Sequence, residues 1–165
     1  IKRRYVERQL YGISMTLPTS VNPYLGQALV QVLGLAAGLK TQAQDAIAQT
    51  NAGPVDTAWV FSAVDIMRNA YFTLERFKNV AGLNAYATAQ VPGYVGTLTD
   101  DILATQNALQ NCVNWIVTNF PKDSTNSFIL AETLNSDGTR TMRSFTTAQM
   151  AGFRTVLTAL IATIG

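Results

Sequence analysis

Apolar residues recur at alternating steps of three and four in four separate stretches of this chain, and no other feature restricts its fold as strongly. Leu25, Leu29, Val32, Ala36, Leu39, Ala43 and Ala46 form the first stripe, and Val60, Ala63, Met67, Ala70, Leu74, Phe77 and Ala81 the second. Leu98, Ile102, Thr105, Leu109, Cys112 and Ile116 form the third, and Met150, Phe153, Leu157, Leu160 and Ile164 the fourth. Such spacing places every member of a stripe on one face of an α-helix, and that face must be covered by another. The expected fold class is mainly α: a four-helix bundle with a β-hairpin between the third and fourth long helices.

At 165 residues the chain fits a single domain. A chain of this size buries roughly 70% of the surface its unfolded form exposes, so a core needs no covalent staple. The single cysteine, Cys112, lies on the third stripe, where a thiol serves as a small apolar group. Histidine is absent, which removes the commonest general base and metal ligand and rules out zinc sites of the usual Cys/His kind.

Charge is sparse. Only 13% of residues are Asp, Glu, Lys or Arg, against about a quarter in an average domain, leaving Thr, Asn, Gln and Ser to carry the polar surface. Lys2, Arg3, Arg4 and Arg8 against Glu7 leave +3 in the first eight residues, so the remainder of this +2 chain sums to −1. Residues 1–18 read as a basic amino-terminal arm or extension, and 19–165 as one helical-bundle domain. Met15-Thr16-Leu17-Pro18 has the form of a natural start, so the first fourteen residues are either an arm or an upstream extension. Solvation is the favoured reading of the basic arm; nucleic-acid contact is the less favoured one. No compact apolar run follows the basic residues as in a secretory signal, and synthesis in the cytoplasm is expected. The uncharged stretch before Lys40 is interrupted by Gln27, Gln31 and glycines and is too short for the ~20 residues of a membrane span.

The helix ends are marked locally. Asn22 and Pro23 open the first helix, and Asn51-Ala52-Gly53-Pro54 closes it, with Gly53 suited to a left-handed cap. Asp56 caps the second, Gly82 terminates it, and the short connection makes the two helices antiparallel neighbours whose alanines permit close approach. Asn84 to Gln90 suits a short helix before a turn at Val91-Pro92-Gly93. Thr99 is the expected cap of the third long helix, with Asp100 and Asp101 in its first turn and Pro121 at its end. Two strand-like segments, Phe128 to Thr133 and Thr139 to Phe145, flank Asn135-Ser136-Asp137-Gly138, predicting a hairpin at about 128–145. Thr146 and Gln149 then form a capping box, with Phe145 stapled on Met150.

Enzyme chemistry finds no foothold. Phosphate loops, dinucleotide fingerprints, nucleophile elbows and metal-spaced carboxylates are all missing, so no catalytic residue, cofactor or metal is assigned and no small-molecule substrate is expected. Asp100 and Asp101 suit the positive end of a helix dipole. Asp65–Arg68 and Glu75–Lys78 have the spacing of surface ion pairs. Tyr71 and Phe72 fall off the second stripe and offer a second apolar face. Arg140 and Arg143, three apart on the second hairpin arm, face opposite sides of a regular strand. With Lys2, Arg3, Arg4 and Arg8, these four residues are the candidate partner contacts.

The carboxy-terminal third, through Asn119-Phe120-Pro121-Lys122-Asp123, Asp137-Gly138-Thr139 and Leu157-Thr158-Ala159-Leu160-Ile161-Ala162-Thr163-Ile164, resembles small uncharacterised helical virion proteins of tailed bacteriophages. The resemblance implies a structural subunit of the head-to-tail connection, tail or baseplate. It also implies localisation in the virion and partnership with other virion proteins and copies of itself. No functional residue is carried over by it. The alternative is a helical-bundle binding module for an apolar ligand or a membrane surface.

Overall fold

The first long helix, α1 (Pro23–Ala52), begins on its proline, where the missing N–H would have had no helical partner. The computed structural model describes residues 23–90 and 96–165. Asn22, the basic arm and Val91-Pro92-Gly93 therefore lie outside the described residues. Over the described residues the protein is mainly helical, with five helices and two small antiparallel sheets. At the far end of α1 the Gly53 N–H donates to Gln49 O at 3.3 Å. Gly53 does not adopt the left-handed conformation expected of it; Pro54 alone ends the helix.

A two-residue strand, β1 (Val55–Asp56), leads into α2 (Thr57–Lys78). The Asp56 side chain accepts from Trp59 N at 2.9 Å, the expected N-cap. Helix α2 stops earlier than the stripe predicts, with Asn79 as its C-cap. Ala81 is consequently exposed, and left-handed Gly82 (φ 81°) turns the chain into α3 (Leu83–Gln90). Thr97, rather than Thr99, caps α4 (Leu98–Asn119): its hydroxyl accepts from Asp100 N at 3.0 Å, while Thr99 N donates to Asn84 Oδ1. The two threonines are chemically equivalent as caps, and docking of α3 onto the α4 start decides between them.

The predicted hairpin forms but is shorter. Strand β2 (Ala131–Leu134) pairs with β3 (Arg140–Met142), with Leu134 opposite Arg140 and an irregularity between Ala131 and Thr133. Gly138 N–H donates to Asn135 O at 3.0 Å, and Gly138 alone in this loop has positive φ (83°). The connection is thus a turn closed by a left-handed glycine, not a two-residue Asp-Gly turn. The Asp137 carboxylate accepts from Thr139 N and Oγ1, which orders the loop. Beyond Arg143 the chain leaves the hairpin: β4 (Ser144–Phe145) pairs with β1, setting Phe145 opposite Val55, both buried. Burying Phe145 in the core is what draws the strand away from β2.

Thr146 and Gln149 bond reciprocally, Thr146 N to Gln149 Oε1 at 2.8 Å and Gln149 N to Thr146 Oγ1 at 3.3 Å. The box closes a turn ahead of α5 (Ala151–Ile164) rather than capping it as expected: the helix takes Met150 as its N-cap, with no side-chain cap bond. Helix α5 packs between α1 and α4, and α4 in turn lies along α2. Its Phe153, Leu157, Leu160 and Ile164 are almost fully enclosed.

The third and fourth stripes are wholly buried, and the first is buried except for half-exposed Leu25. In the second, Ala63 and Phe77 are only half-buried, and Val64 joins the core in their place. Helices α1 and α2 are neighbours along one seam, as expected, but not the closely packed pair their alanines suggest. Their connection is short, but α1 turns its stripe toward α5, and α1 and α2 make few direct contacts.

Candidate functional site

The open seam between α1 and α2 forms an apolar groove of about 220 Å³. Leu39, Ala43 and Ala46 from α1 face Trp59, Ile66 and Met67 from α2 across it. Trp59 is held upright on its rim because the indole N–H donates to Gln49 Oε1. Asp45 is the single charged group in the lining.

Tyr71 and Phe72 lie on the opposite side of α2. Phe72 is 62% exposed, Tyr71 is half-buried, and their rings meet edge to face at 5.7 Å. Met67 and Arg68 from the same helix, with Leu109 and Val113 from α4, complete a shallow depression there. Its lower border is a polar clamp: buried Gln106 donates to Tyr71 O at 3.2 Å and to Glu75 Oε2 at 2.8 Å. Glu75 also pairs with Lys78 at 2.7 Å, and bonds from Lys78 and then Gln106 hold its carboxyl below the usual value. Asp65 and Arg68 do not form the ion pair their spacing predicts; Arg68 turns to the Tyr71–Phe72 depression instead.

Arg140 is exposed on β3. Arg143 is half-buried at the hairpin's base: its N–H donates to Leu130 O and its carbonyl accepts from Thr57 N, both at 3.0 Å. The two arginines do not share a surface patch with Tyr71 and Phe72. Lys2, Arg3, Arg4 and Arg8 lie outside the described residues.

Sequence reasoning missed the apolar character of the hairpin itself. Leu134 is 67% exposed, Leu130 42% and Met142 36%, on a ribbon otherwise made mostly of polar residues. The irregularity between Ala131 and Thr133 breaks the alternation that would set the two leucines on one face, but three large apolar residues within a mostly polar run are a pattern in themselves. That pattern was available in the sequence. The α1–α2 groove was not, because it depends on which helix α1 chooses as its neighbour.

Reactive chemistry is limited. Among the described residues no three His, Cys, Asp or Glu side chains cluster to hold a metal, and no helix is long and apolar enough to cross a membrane. Asp123 and Asp137 have lowered pKa values because Thr125 and Thr139 donate to them, an arrangement that serves their turns. Cys112 is enclosed, and burial pushes its thiol up to about 12. Compared with known proteins, the chain matches no family model, no curated protein and no solved structure.

Proposed function

We propose that the protein is a structural subunit of a tailed-phage-like virion, placed in the head-to-tail connection, the tail or the baseplate. It acts through protein–protein contacts with other virion proteins and with copies of itself in a symmetric assembly, and its role is architectural rather than catalytic. We read α1, α2, α4 and α5 as a four-helix bundle from which the hairpin between α4 and α5 reaches toward a neighbour.

The observation that supports this reading is the hairpin. A two-stranded ribbon is marginal by itself in water. This one nevertheless presents Leu130, Leu134 and Met142 to solvent and leaves its outer strand edges unpaired among the described strands. Exposed apolar side chains on an open ribbon suit a surface that is covered in an assembly. Phe72, on another side of the molecule, gives a second contact, as a subunit with two neighbours requires.

The groove between α1 and α2 favours the second reading, a binding module for an apolar ligand. Sedimentation across a range of concentrations, with electron microscopy of the products, separates the two. The assembly reading expects discrete, closed multiples of the chain. A monodisperse monomer that floats with lipid vesicles would reverse the order.

A further inference from the structure

Two arginines stand near the start of α5, and the fold accounts for the side chain of only one. Arg154 donates through one terminal nitrogen to Thr50 O and through the other to Thr147 O, both at 2.9 Å, tying the end of α1 to the turn before α5. Arg143 differs. Its backbone is fully used, yet its side chain has no hydrogen bond or ion pair with any described residue, and its Nε is buried without a partner. A guanidinium carries five N–H donors, and a buried donor left unpaired is costly.

Arg143 borders a cavity of about 290 Å³ at the carboxy-terminal end of α4. The walls are Trp115, Phe120, Phe145 and Met150, with Gln149 as a polar neighbour, and no Asp or Glu lines it. Phe120 packs on Phe145 at 4.7 Å and Trp115 on Phe153 at 5.5 Å, so the aromatic walls are braced from behind. One cation, apolar rings and no internal counter-charge define what fits.

We propose that this cavity binds a carboxylate carried on a small aromatic or apolar group, with Arg143 pairing with the carboxylate and the rings covering the rest of the ligand. An Arg–carboxylate pair satisfies the guanidinium with two parallel bonds. The volume lies at the low end for small-molecule sites, which suits a single ring. A phosphate dianion is disfavoured, because a single arginine matches one negative charge, and the partial negative charge at the end of α4 weighs against any anion, a dianion most. The carboxylate is that of a free acid or the terminal carboxylate of a peptide ending in an aromatic residue. The site is independent of the assembly reading.

The tryptophan indole N–H resonances of the ¹⁵N-labelled full chain test this: Trp115 lines the cavity, while Trp59 lines the α1–α2 groove and stands on the other side of the Phe153 ring, on which both pack. Titration with 3-phenylpropionate, and separately with N-acetylglycylphenylalanine, is expected to shift Trp115 to saturation and to shift it more than Trp59. The tighter of the two acids identifies the source. Binding of 3-phenylpropanamide to the wild type, and of either acid to Arg143→Gln, is expected to be at least tenfold weaker. Failure of both acids to saturate, equal binding of the amide, or undiminished binding by a folded Arg143→Gln variant would overturn the proposal. If that variant does not fold, the acid–amide comparison in the wild type decides.

Discussion

Gly34, Gly38 and Gly152 sit inside helices, and the structure assigns opposite signs to their replacement by alanine. A Cβ placed on Gly152 would lie 2.4 Å from Trp115 Nε1 and 3.0 Å from Cε2, far inside contact distance. The indole cannot retreat freely, because Phe153 stands against it with ring centroids 5.5 Å apart. Overpacking of this kind costs ~1–3 kcal/mol. Alanine gains at most ~1 kcal/mol over glycine in a helix interior, and less in a first turn, where Gly152 lies. Gly152→Ala should therefore destabilise the protein by ~1–2 kcal/mol, lowering Tm by about 2–8 °C at this chain length. Gly34 and Gly38 on α1 have no heavy atom within 4 Å of the same position. Each of Gly34→Ala and Gly38→Ala should stabilise by ~0.5–1 kcal/mol. Urea unfolding of the three single variants, followed by far-ultraviolet dichroism, reads all three values. A Gly152→Ala variant at least as stable as the wild type would refute the close Trp115–Gly152 contact. Destabilisation by Gly34→Ala would refute the open outer face of α1.

Arg154→Met keeps most of the side-chain packing but removes the bonds to Thr50 O and Thr147 O. It should cost ~2–4 kcal/mol, from two bonds of a charged donor, in the same unfolding assay. Cys112, buried with its thiol pushed up to about 12, should react with a disulfide reagent at pH 8 only as fast as the protein unfolds; prompt labelling of the native state would contradict its burial. Asp123 and Asp137 have folded-state pKa values below their unfolded ones, so their contribution is present above about pH 4 and lost as pH falls through the folded values. The double variant Asp123→Asn/Asp137→Asn should therefore show a shallower fall of Tm between about pH 4 and pH 2 than the wild type.

The legible parts of the fold were those fixed by local chemistry. The α4 and α5 stripes, the Asp56 cap and the Thr146–Gln149 bonds need only near neighbours in sequence, and all are present, although that pair closes a turn and α5 takes Met150 as its N-cap. What escaped was set by long-range competition. The choice of Thr97 over Thr99 depends on Asn84 of α3, and the split of the second hairpin arm depends on Val55 drawing Phe145 into the core. The neighbour of α1 could not be read from its stripe, because an apolar face states that it needs cover without stating whose. Of the candidate contacts, Phe72 is exposed as its off-stripe position implied. Arg143 is instead sunk at the base of the hairpin, since its backbone bridges Leu130 and Thr57.

The hairpin is the surface on which the proposed assembly depends most heavily. The mass of the full chain in solution, measured by light scattering for the wild type and for Leu134→Glu, tests it most directly. Leu134 is exposed and outside the core, so the variant should melt like the wild type. An assembling hairpin gives closed multiples of the chain for the wild type and a shift toward single chains for the variant. A wild-type protein that remains a single chain at every concentration, or a variant that assembles as the wild type does, would contradict it.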